Sequence, residues 1–153
     1  MTTPQTASDR RTTSAREQIV AEAAAMGIDR DYISTLVETF YSRVQKHDLL
    51  GPIFNDAISD WDAHLKTMKR FWASVALNAG EYSGKPVPAH RKHIDMIKAA
   101  DFDVWLGLFR QTLDETAPTP AARDYFMVRA ERIAKSLRLA MFGTPTLGPP
   151  RYA

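Results

Sequence analysis

The chain has 153 residues, no cysteine, 44% hydrophobic and 25% charged residues, and 20 basic against 18 acidic side chains. The length suits one domain with a sizeable core, the composition argues against a disordered or membrane-spanning chain, and the missing thiols exclude disulfides, Cys-held zinc and iron–sulfur clusters. A net charge of +2 is too small to imply nucleic acid, and no apolar run follows Arg10 and Arg11 to make an export signal or a membrane span, so a cytoplasmic protein is expected.

Residues 2–14 hold no large apolar side chain, and a frayed arm is expected there. Residues 15–26 are Ala- and Glu-rich with Ile19, Val20 and Met26, which suits a short helix ended by Gly27. Asp29 is placed to cap a helix in which Ile33, Leu36, Val37, Phe40, Tyr41 and Val44 recur on one face. Gly51 and Pro52 predict a break, with Phe54 in a connector. Ser59 and Asp60 offer caps for the next helix, whose apolar side runs Trp61, Leu65, Met68, Phe71, Trp72 and Val75, with His64 among them. From Gly80 to Pro88 the glycines and prolines predict an extended or turning connection, and Pro88 fits the first turn of a short helix carrying His90 and His93. Asp101 is the expected cap of a helix with the stripe Phe102, Trp105, Leu106, Phe109 and Leu113. Pro118 and Pro120 precede a last helix with Phe126, Ile133, Leu137 and Met141 inward, ended by Gly143. With no strand alternation and no internal repeat, an all-α fold is predicted.

Polar groups on buried faces are the informative ones, because each must find a partner or serve a ligand. Tyr41, His64 and Trp105 interrupt three apolar stripes and project toward one interior. Taken singly, each residue type at such a position is more often a core residue with a backbone partner; their convergence argues for a ligand. His90 follows the Pro-rich loop, with His93 three residues on. No third His or carboxylate completes a zinc pattern around them, whereas one imidazole opposite His64, across a flat apolar cofactor, would suit haem. Arg129, Arg132, Lys135 and Arg138, mixed with Asp124 and Glu131, read as a solvated face. Neither a phosphate-cradling glycine loop nor a Ser-His-Asp set is evident.

Phe40-Tyr41, Leu50-Gly51-Pro52-Ile53-Phe54, Trp61 to His64, Phe71-Trp72, Tyr82 to His90 and Trp105-Leu106-Gly107-Leu108-Phe109 stand in an order and at separations that resemble a group III truncated haemoglobin. The resemblance spans about residues 29–143, leaving an N-terminal extension over 1–28 and a tail over 144–153. It implies a globin-like two-over-two helical sandwich around haem b, with His90 as the proximal iron ligand, His93 as the fallback, and Tyr41, His64 and Trp105 as distal groups. Phe40, Phe54, Leu65, Met68, Trp72, Phe109 and Ile133 are the expected cofactor contacts, with Arg91, Lys92 and His93 available to the propionates. The paired glycines of the other truncated groups are absent. The polar segment between His90 and Trp105 is about a residue longer than the family's usual spacing.

For function the resemblance implies a monomer that binds oxygen, nitric oxide or another diatomic ligand in a polar distal pocket and holds oxygen tightly. A haem enzyme acting on nitric oxide or a peroxide would use the same residues and draw electrons from an external reductase, because the chain carries no dinucleotide fingerprint. A haem-free helical interaction module is the reading from a different class, in which the three polar residues are structural.

Overall fold

Seven helices and no strand lie among the described residues: α1 (Ala7–Ala25), α2 (Arg30–Lys46), α3 (Leu50–Ala57), α4 (Trp61–Leu77), α5 (Pro86–Arg91), α6 (Asp101–Thr116) and α7 (Pro120–Phe142). The structure, a computed structural model, describes residues 7–80, 82 and 84–143, with side chains from Ala15 onward. The tail over 144–153 and residues 2–6 of the expected arm lie outside the described residues.

α2 packs on α4, α6 on α7, and α2 crosses α6, which gives two layers of paired helices; α3 bridges α2 and α6, and α5 leans on α7. The six apolar residues of the α2 stripe, Ile33 to Val44, are the six that are buried, and the Asp29 side chain caps the helix by accepting from Tyr32 N at 2.8 Å. Phe109, Leu113, Phe126 and Ala130 fill the space between the pairs. Tyr125 Oη donates to Ala76 O at 2.7 Å, tying α7 to α4. Arg43 joins α2 to α6 through Thr112 Oγ1, at 3.3 Å, and Glu115. A smaller cluster of Phe102, Ala134, Leu137 and Met141 lies between α6 and α7, with Val87 and Ile97 against it.

Four expectations need correction. The frayed arm is helical from Ala7, since no Gly or Pro interrupts residues 7–26 and a helix anchored at its far end has nothing in the backbone to stop it. The anchor is an end motif: Ile28 N donates to Ala23 O and Gly27 N to Ala24 O, each at 2.9 Å, with Gly27 at φ +85°, the left-handed conformation that glycine adopts without strain. Ala23 is fully buried, so this helix docks on the core. The second correction concerns Phe54, which sits in helix α3 rather than in a connector. Pro52 is the third residue of α3, where its missing N–H costs no internal bond, and Gly51 lets α3 close on α2, because a Cβ there would come 2.8 Å from Gln45 O. Third, the connection expected to run to Pro88 ends before Pro86, where the short fifth helix begins, with Pro88 in its first turn as expected and His93 beyond its end at Arg91. Fourth, Asp101 is not a cap: α6 begins with it, after Ala100, and its carboxylate accepts from Lys98 N at 2.8 Å.

Candidate ligand pocket

Between the helix layers lies a cavity of about 370 Å³, within the range of roughly 300–1,000 Å³ common for small-molecule sites. Tyr41 of α2, Phe54 of α3, His64, Met68 and Trp72 of α4, His90 of α5, Trp105 of α6 and Ile133 of α7 all line it. Side chains from six separate helices thus converge on one space.

Tyr41 is 4% exposed, and burial pushes its phenol well above the ordinary range, so the hydroxyl keeps its proton and remains a donor. His64 stands edge-on to Tyr41, ring centroids 5.4 Å apart at 90°. Burial, and secondarily the charge of His90, lower its pKa, so the imidazole is neutral at neutral pH. Its Nε2 is the one buried side-chain polar atom without a hydrogen-bond partner among the described residues. An orphan of this kind is costly unless a ligand or water completes it. Across the cavity His90 Nδ1–H donates to Pro86 O at 2.7 Å. A backbone bond of this kind fixes the tautomer and leaves Nε2 with a free lone pair, the arrangement found in metal-bound histidines.

Four residues expected at the cofactor lie elsewhere. Phe40 and Phe109 are a layer behind the wall. Phe40 meets Tyr41 at 5.0 Å and Trp105 at 5.4 Å, and Phe109 meets Trp72 at 5.1 Å and Trp105 at 5.3 Å, so both orient the lining rings from the rear. Leu65 is half-buried against the core off the cavity wall. The Arg91 guanidinium donates to Ala140 O at the end of α7 rather than lining the cavity.

His93, in turn, is on the wall, as are Phe71, Tyr82, Phe102 and Leu137, which the sequence did not single out as site residues. Phe71, Phe102 and Leu137 belong to stripes the periodicity identifies; what one sequence lacks is which flank of each stripe faces the opening. Tyr82 sits in the Gly- and Pro-rich connection and has no periodicity to mark it. It is held by its amide, which donates to Ser74 Oγ at 3.0 Å, and by Phe71, whose ring lies 5.1 Å away.

No family model matches the chain. A Campylobacter jejuni protein described as Group 3 truncated hemoglobin ctb is 32% identical over 121 residues, covering 75% of this chain and 92% of that protein. Group 2 truncated hemoglobin YjbI of Bacillus subtilis is 27% identical over 111 residues, covering 72% and 83%. Among solved structures, that of the group III truncated hemoglobin from Campylobacter jejuni superimposes with a TM-score of 0.68 at 31% identity, covering 78% of this chain and 95% of the other.

Proposed function

Because the chain belongs to the group III truncated globins, we propose that it holds haem b in this cavity and binds a diatomic gas there. The observation that carries the reading is the pairing of His90, its Nδ1 committed to Pro86 O, with Tyr41, His64 and Trp105 on the walls of the same cavity. The residues present fit the group. The His90 imidazole, with its free lone pair, would hold the iron, the apolar faces of Phe54, Met68 and Ile133 suit a flat ring, and the orphaned His64 Nε2 waits for a partner. Haem, when bound, would supply the iron that takes up a gas.

The chain's own residues do the rest. Tyr41 Oη–H and Trp105 Nε1–H are donors carried by residues on the cavity wall, placed to reach a guest. In a pocket poor in water such preset donors act strongly on developing negative charge, and oxygen should therefore leave slowly. His64, neutral and lodged between rings, controls entry more than retention. Nitric oxide fits the same space, and its turnover would take electrons from an external reductase.

The test is reconstitution. The purified chain mixed with haem should develop a Soret band that His90→Ala loses. A protein that takes up no haem would instead be the helical interaction module. Mixing the oxygenated protein with nitric oxide in a stopped-flow instrument then separates simple binding from turnover.

A further inference from the structure

The rings around His64 are held from outside the cavity. Asn55 of α3 donates from Nδ2 to Gln45 O, near the end of α2, at 3.2 Å, and its Oδ1 accepts from Trp61 Nε1, also at 3.2 Å. One side-chain amide thus ties the end of α2 to the first residue of α4. The tethered indole stands edge-on to His64 with centroids 5.6 Å apart at 89°, and lies 6.1 Å from the Tyr41 ring. The imidazole is therefore bracketed by two aromatic rings.

The two brackets are secured differently. Tyr41 is buried in the core, while Trp61 is half-buried at the rim and Asn55 is exposed. Neither Trp61 nor Asn55 lines the cavity. Helical side chains lean toward the N-terminus of their helix, so His64 leans over the turn that Trp61 begins, and an outward swing of the imidazole meets the indole. Where the indole stays, the imidazole stays.

We propose that Trp61 and Asn55 form a latch, two positioning residues that hold the His64 ring inward and set how often the cavity is open. The inference rests on the reading of His64 as the group that controls entry. A rim hydrogen bond competes with water, so its loss should shift the balance between closed and open by about threefold to tenfold.

The experiment uses the full haem-loaded chain with carbon monoxide as the probe. Trp61→Phe keeps an aromatic ring but lacks the N–H, and Asn55→Leu lacks the acceptor. Each should speed carbon monoxide association by about threefold to tenfold, leave dissociation within about twofold, and weaken the nuclear Overhauser contact between the His64 and Tyr41 rings. The double variant should match Asn55→Leu alone, because that change already removes the bond that Trp61→Phe removes. Additive effects, or an Asn55→Leu protein with unchanged association and an intact ring contact, would overturn the latch. His64→Leu separates the two ideas. If it leaves association unchanged, entry control by His64 fails, and the ring contact in Asn55→Leu still decides the latch: retained, it refutes; lost, it supports.

Discussion

Phe40 and Phe109 back the cavity wall that Tyr41, Trp72 and Trp105 line; the rings of Phe40, Trp72 and Phe109 are each at most 3% exposed and touch at centroid distances of 5.1 Å for both Phe40–Phe109 and Trp72–Phe109. Across the cavity, residues 84–100 contain no buried side chain, and α5 is six residues long with no side-chain cap. The ring-backed wall is packed by its own residues whatever lies in front of it. The facing segment takes its order from α7, from the Pro86 carbonyl and from whatever fills the cavity. The donors that would meet a guest are therefore preset, whereas the imidazole that would hold a cofactor sits on the wall that a cofactor would help to order.

The strongest way to break this comparison is to remove a ring from the packed wall. Phe109→Ala should cost about 3–5 kcal/mol, the usual range for a buried phenylalanine whose neighbours cannot close the gap. Ile97→Ala, in the facing segment, should cost about 1 kcal/mol. Denaturant midpoints on the cofactor-free chain measure both, and equal losses would mean that the two walls are built alike.

A smaller effect is expected from Tyr41→Phe. Tyr41 lines the cavity, so the loss of its hydroxyl should change stability little, while the oxygen off-rate should rise by about tenfold with the loss of roughly 1.5 kcal/mol of hydrogen bonding. A large drop in stability with an unaltered off-rate would turn Tyr41 into a structural residue of the packed wall.

The same contrast explains what could be read from the sequence. The packed wall is made of long helices with strong periodicity, and its buried set on α2 was legible residue by residue. Tyr41, His64 and Trp105 stood out because they are polar on apolar stripes. The facing segment has short elements and few apolar residues, so the start of α5 and the role of Asp101 were missed, and so was the cavity-facing Tyr82. Phe40 and Phe109 lie on stripes that periodicity identifies, but periodicity gives a buried face and not its depth. One ring layer separates the two positions, and tertiary packing alone decides it. Arg91 was chosen for its charge and proximity to His90, yet a helix end with unsatisfied carbonyls competes for guanidinium donors, and Ala140 O holds it.

The smallest effect sharpens the comparison through pH. Burial among the rings, and then the charge of His90, lower the His64 pKa below its ordinary value of 6.5. The folded chain therefore binds fewer protons at this site than the unfolded chain does at acid pH. By linkage this site favours folding fully only above pH 6.5, and that contribution is lost as the pH falls from there toward and below the lowered folded value. The melting temperature of the wild-type chain should fall more steeply between pH 7 and pH 5 than that of His64→Leu, which has nothing to protonate there. Because other groups titrate in both proteins, the difference between the two curves is the quantity that reports on His64. Parallel curves would place the imidazole in water, outside the bracket of Tyr41 and Trp61, and the packed wall would then lose its polar centre.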